Sequence, residues 1–222
     1  MTSAVFLDAL GTLVELQPPA PRLRARLAEA GFEVSEERAA AGIAAEIEYY
    51  VANHLDGADR ASLDDLRDRC AAVMMEALRL DGLDRTTARK AMLGALEFRP
   101  YDDVVPSLTA LRDDRRRLLI VSNWDCSLPE WLGPPGLLEL VDDVVTSAEV
   151  GAAKPDARIF QRALALAGVA PEQAVHVGDS LANDIAGAQA LGIRAVLVQR
   201  SGGPPAGVES IRSLGELPRV LG

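Results

Sequence analysis

Four short stretches set a polar residue directly beyond a run of apolar ones or at the mouth of a helix. Asp8 follows Ala4-Val5-Phe6-Leu7 and leads into Gly11-Thr12, while Ser122 and Asn123 follow Leu118-Leu119-Ile120-Val121. Lys154 precedes Pro155 and Asp156, and Asp179 follows Ala174-Val175-His176-Val177-Gly178, with Asp184 five residues on. A short apolar run that stops at a turn residue reads as a strand buried on both faces. Asp8, Ser122 and Asp179 would then stand at the carboxyl edge of a sheet, where open α/β folds build their sites. A single carboxylate in such a place is more often a turn or cap residue than a nucleophile. Each of the others also has a plain reading: Ser122 as a strand-end cap, Lys154 as a solvated charge, Asp184 as a first-turn acid favoured by the helix dipole. The four together outweigh those readings.

The elements that must position them follow from the apolar spacing. After Leu13 the chain turns helical, with Leu23, Leu27 and Ala30 in one run, Ile43, Ile47, Tyr50 and Val51 in a second, and Leu63, Leu66, Cys70, Met74 and Leu78 in a third. An insert of this length far exceeds an ordinary loop of about 4–6 residues, so residues 16–98 are expected to form a helical cap domain. Residues 97–103 read as the return linker, since Pro100 disfavours helix before it. Strands are then expected at 117–121, 144–146, 174–178 and 195–198, with helices between them, and a last short helix at 211–217. Strand and helix in alternation predict a doubly wound parallel sheet built from residues 1–15 and 99–222, an α/β core carrying an inserted helical cap.

In order, spacing and context the four stretches resemble the signature motifs of the haloacid dehalogenase superfamily of hydrolases: D-A-L-G-T-L at 8–13, V-S-N at 121–123, K-P-D at 154–156 and G-D-S-L-A-N-D at 178–184. The insert looks like that family's type 1 cap, which closes over the site and selects substrate. The resemblance implies Asp8 as the nucleophile, forming a covalent intermediate, with Lys154 offsetting charge on it. It implies Ser122 and Asn123, with nearby backbone N–H groups, as holders of substrate oxygens, and Thr12 and Asn183 as orienting groups. Mg²⁺ would be held by Asp8, the Leu10 carbonyl, Asp179 and Asp184, oxygen donors suited to a hard cation. The departure is at residue 10. Phosphatases of the superfamily carry a second aspartate there as general acid and base, and this chain has leucine. Three readings follow: a Mg²⁺-dependent phosphohydrolase on a small phosphorylated metabolite, with Asp125 as a candidate displaced acid; an L-2-haloacid dehalogenase, whose halide leaves without a proton; and a weakened relative that binds a ligand or partner. The acidic fourth motif speaks against the dehalogenase.

Composition bounds the rest. The 222 residues are 49% apolar with a net charge of −10, which argues against nucleic acid or an anionic membrane as the main partner. Two cysteines make no disulfide framework, and the first strand begins within a few residues of Met1, so the expectation is a cytoplasmic protein, monomer or homodimer, acting on a small molecule. His176, inside a strand, reads as a satisfied core histidine.

Overall fold

The computed structural model describes residues 2–203 and 206–221. Its elements in chain order are β1 (Ala4–Leu7), β2 (Val14–Leu16), α1 (Pro19–Glu29), α2 (Glu36–Asn53), α3 (Arg60–Leu78), α4 (Arg85–Ala95), β3 (Phe98–Pro100), α5 (Val104–Asp113), β4 (Arg117–Ser122), α6 (Leu128–Leu132), β5 (Asp143–Thr146), α7 (Ser147–Val150), α8 (Ala157–Ala167), β6 (Ala174–Gly178), α9 (Ala186–Gln189), β7 (Arg194–Val198), β8 (Ser210–Ile211) and α10 (Leu217–Leu221). The chain divides into two compact units, Met1–Glu15 with Pro100–Gly222, and Leu16–Arg99.

The first unit is α/β. Six strands run in the order β5-β4-β1-β6-β7-β8, every pair parallel. All four residues of β1 are buried, as a central strand covered on both faces requires. The chain fills the β4 side of β1 first and then crosses to β6, so the strand order reverses at β1, the switch point at which such sheets open a crevice beyond their carboxyl ends. Phe6, Leu119 and Val121 pack with Ile159 and Phe160 of α8 in one of the unit's apolar clusters. Asp156 caps α8 by accepting the Arg158 N–H, and Gly168, at φ 66, ends it.

The second unit is helical. Leu23 and Leu27 of α1, Ala39 and Ile43 of α2, Leu66, Cys70, Met74 and Leu78 of α3, and Ala88, Ala91 and Met92 of α4 form its core. The buried face of α2 differs from the one its apolar residues predict. Ala39, Gly42, Ile43 and Glu46 point inward, whereas Ile47 and Val51 are exposed. A helix buries residues spaced by three and four, and the approach of Leu78 and Met74 to Gly42 fixes which ones these are.

Two further segments differ from expectation. The return linker contains β3, which pairs with β2. Residues 211–217 do not form one helix: Ser210 and Ile211 pair with Leu197 and Val198, a 3₁₀ turn spans Leu214–Glu216, and α10 follows. A two-residue strand is too short to leave a periodic signal, yet it covers the otherwise open edge of β7.

Candidate active site

Parallel register brings the polar residues of distant segments to one level. Leu7 pairs with Ile120 on one side and Val177 on the other, so Asp8 lies one step beyond, next to the ends of β4 and β6. Asp8 is 7% exposed and Lys154 4%. Two donors converge on Oδ1 of Asp8: the Ser122 hydroxyl at 3.0 Å and the Lys154 ammonium at 2.6 Å. Lys154 Nζ also donates to Oδ1 of Asp184 at 2.6 Å, so one buried cation bridges two buried carboxylates. A buried charge is tolerated only when paired in this way. Burial and the neighbouring Asp184 charge push the Asp8 carboxyl up against the opposing pull of Lys154. Burial alone would lower the Lys154 ammonium; the charges of Asp8 and Asp184 outweigh it and raise it.

Asp184 is held by three donors. Beside Lys154, Oδ1 meets His176 Nε2 at 2.8 Å, and Oδ2 accepts the Ser180 N–H at 2.9 Å. Its burial is overcome by the hydrogen bond from His176 and the charge of Lys154, which hold its carboxyl well below the usual range. A carboxylate only accepts, so Nε2 of His176 carries the proton. Burial lowers the His176 imidazole, keeping it neutral, and the Phe160 ring meets it edge-on at 5.1 Å. His176 is therefore more than a core histidine: it orients Asp184. The π-helical turn Leu181–Ile185 after β6 curls Asp184 back beneath the strand end, and a Cβ on Gly178 would lie 2.2 Å from its Cγ. Asp179 lies at the rim, exposed. Partial withdrawal from water, then the charges of Asp8 and Asp184, push it up to about 6.

Oxygens of Asp8, Asp179 and Asp184 lie within 4.8 Å of one another, an all-oxygen donor set of the type that suits Mg²⁺. Because Asp184 spends both oxygens on protein donors, the carboxylates of Asp8 and Asp179 have the freer ligand atoms. The remaining predicted residues are placed as follows. Leu10 is 44% exposed at the tip of the turn after β1. Gly11 beside it adopts φ +84, and a Cβ there would come within 2.1 Å of Asp179 Oδ2, so only glycine lets this turn lie against Asp179. The Thr12 hydroxyl is buried without a hydrogen-bond partner. Asn123 uses both ends of its amide on the Lys154 main chain, accepting the Lys154 N–H at 2.7 Å and donating to its carbonyl at 3.0 Å. Its side chain thus positions the lysine, which spacing alone does not reveal. Asp125 is buried and accepts the Ser127 N–H at 2.7 Å, a turn cap. A cleft of about 500 Å³ opens within the α/β unit against Asp179, walled by Gly11, Tyr101, Leu181 and Arg200.

A doubly wound parallel sheet with a buried, lysine-bridged aspartate at its switch point defines an α/β architecture whose candidate site lies at the carboxyl edge of the sheet. The sequence model of the haloacid dehalogenase-like hydrolases matches residues 2–192, and the chain belongs to that family. It is 45% identical over 95 residues to the mouse haloacid dehalogenase-like hydrolase domain-containing protein 3, covering 43% of this chain and 38% of that protein. It is 38% identical over 105 residues to the glyceraldehyde 3-phosphate phosphatase of Methanopyrus kandleri, covering 46% of this chain and 45% of that one. The match to the phosphoserine phosphatase of Thermus thermophilus is 38% over 133 residues, 58% of this chain and 53% of the relative. The chain thus spans about half or less of the length of these curated relatives. Among solved structures, a phosphatase of the family from Thermococcus onnurineus superposes with a TM-score of 0.66 at 28% identity, covering 100% of this chain and 98% of that one. A 2-haloacid dehalogenase from Pseudomonas syringae pv. Tomato DC3000 superposes with a TM-score of 0.70 at 25% identity over the same shares. Among the described residues, no helix is long and apolar enough to cross a membrane.

Proposed function

We propose that this hydrolase is a Mg²⁺-dependent phosphohydrolase acting on a small phosphorylated metabolite. The observation that carries the reading is the third carboxylate. Asp179 stands beside Asp8 and Asp184 with only one ammonium among the three, so the set carries more negative charge than the chain's own cation offsets; burial first, and then the charges of Asp8 and Asp184, push Asp179 up to about 6. A dication held by Asp8, Asp179 and the Leu10 carbonyl would neutralise that excess and the charge on a bound phosphoryl group. Asp184, fully engaged by Lys154, His176 and Ser180, supports the set from behind. Relatives named as phosphatases support the same reading.

In this reading the Asp8 carboxylate attacks phosphorus, the phosphorus–oxygen ester bond breaks, and the departing alkoxide takes its proton from water, because residue 10 supplies none. Water then hydrolyses the aspartyl phosphate and regenerates Asp8. Ser122 and Lys154 fix Oδ1 of Asp8, so the attacking carboxylate enters in one orientation. The missing acid predicts a preference for substrates whose leaving oxygen is already stable as an anion. The same leucine favours a second reading, dehalogenation of a 2-haloacid, in which the leaving halide needs no proton.

One assay separates them: hydrolysis of p-nitrophenyl phosphate and of L-2-chloropropionate, each with Mg²⁺ and with EDTA. Phosphate release that EDTA abolishes is the expected result. Chloride release that survives EDTA would replace this reading with the second, and no turnover of either would remove both.

A further inference from the structure

Arg200, in the loop after β7, joins three segments of the α/β unit through one guanidinium. Nη2 donates to the Thr12 carbonyl at 2.7 Å, and Nη1 donates to both carboxylate oxygens of Asp103 at 3.1 Å. The guanidinium carbon lies 3.6 Å from the centroid of the Tyr101 ring, a stacked cation–π contact. Asp103 is itself fixed, its Oδ2 accepting the Ser213 hydroxyl at 2.8 Å and the Leu214 N–H at 2.7 Å. Burial works against ionising Asp103, but the hydrogen bonds from Arg200, Ser213 and Leu214 prevail and hold it below the ordinary aspartate value. The side chains of the pair are only 21% and 19% exposed, so this is no loose surface ion pair.

The carbonyl that Arg200 grips belongs to the turn that follows Asp8. In that turn the Ala9 carbonyl accepts the N–H groups of Thr12, Leu13 and Val14, the Val14 carbonyl accepts that of Gly11, and the Leu13 carbonyl accepts that of Tyr101. Arg200 fastens the Thr12 carbonyl from the other side, one residue after Gly11, where the turn lies against Asp179 with no room for a Cβ. The same guanidinium holds Tyr101 and Asp103, so the segment that leaves the α/β unit and the segment that returns to it are tied to one group. A displacement of the Thr12 peptide would move Gly11 and Leu10 relative to Asp179, and Asp8 with them.

We propose that Arg200 is a positioning residue for the reaction: it touches no reacting atom and acts by fixing the turn that carries Asp8 and the Leu10 carbonyl. The inference rests on Asp8 being the nucleophile. Lysine cannot replace arginine here, because a point-like ammonium cannot donate to Thr12 and Asp103 while stacking on Tyr101.

The test combines two readouts on the full chain. Amide hydrogen exchange of residues 9–14 reports the turn directly, with β6 as internal control. Steady-state hydrolysis of p-nitrophenyl phosphate with Mg²⁺ reports its consequence. In Arg200→Lys, exchange at Thr12, Leu13 and Val14 rises about tenfold while β6 is unchanged, and kcat falls by about 10- to 100-fold with KM within twofold, since misplacement rather than lost substrate contact is responsible. In Arg200→Ala, millimolar guanidinium restores part of the lost kcat. Turn exchange or kcat within twofold of the parent in Arg200→Lys, or no rescue of a folded Arg200→Ala, overturns the proposal. If the parent protein itself hydrolyses no phosphate ester, it is the phosphohydrolase reading that fails, and the exchange measurement alone decides whether Arg200 holds the turn.

Discussion

The two units bury polar groups under opposite rules. In the α/β unit Asp8, Ser122, Lys154, His176 and Asp184 are all buried, yet each finds its partner within the set. In the helical unit, among the described residues, Glu46 is the one buried polar or charged side chain; it is 5% exposed, and its partner is a neutral thiol, that of Cys70. The first unit therefore keeps its charges in place by mutual compensation, whereas the second keeps its acid neutral, burial pushing Glu46 up to about 7. Charge that must act has to be buried with its counter-charge; charge with no task is cheaper to discharge.

The largest effect expected on this contrast comes from Asp8→Asn. Turnover of p-nitrophenyl phosphate should fall by on the order of 10⁴-fold or more, because the amide is no nucleophile, while Lys154 keeps Asp184 as its counter-charge and the melting temperature moves little. Parent-like turnover in this variant would refute the mechanism.

Glu46 gives the next effect, on stability. The folded chain keeps that proton up to about pH 7, whereas an unfolded chain releases it near the ordinary glutamate value of 4.5. Between those values the folded state holds the extra proton, so stability falls as pH rises from about 4.5 to 7 and then levels off, a total on the order of 3 kcal/mol. Glu46→Gln removes that decline and should be the more stable protein above pH 7. Urea unfolding at pH 5 and pH 8 measures it, and the same pH dependence in both proteins would mean that Glu46 is not buried neutral.

The smallest effect is an addition. Leu10→Asp places a carboxyl at a position 44% exposed, where it keeps much of its hydration, and should change stability little. If proton supply limits the reaction, kcat on an alkyl phosphate rises by up to about 10²-fold, with a much smaller gain on the aryl ester. Equal gains on both would point away from protonation of the leaving oxygen.

The α/β class was legible because apolar runs ending in single polar residues recur at the spacing of strand–helix units, and the positions of Asp8, Ser122 and Asp179 followed from those run ends. Features set by geometry across the chain were not. Asn123 and Lys154 are 31 residues apart, and nothing in either stretch shows that the amide is spent on the lysine's main chain. His176 and Asp184 meet only because a π-helical turn intervenes, which no apolar periodicity marks. Arg200 stands in a Gly- and Pro-rich loop, and its partners Thr12 and Asp103 lie 188 and 97 residues away. On α2 the apolar residues themselves misled, since Ile47 and Val51 face solvent while Glu46 turns inward.

The central place of β1 has a consequence during synthesis. Leu16–Arg99 is one continuous stretch, complete before β4 has been made. β1 precedes its neighbours β4 and β6 by more than a hundred residues, and Lys154 trails Asp8 by 146 residues. At typical translation speeds that is a wait of roughly ten seconds, in which the most apolar strand of the protein is exposed beside an aspartate with no counter-charge. Until β4 and Lys154 have been made, Asp8, buried in the folded protein, thus ends an apolar strand that has neither its neighbours nor its counter-charge.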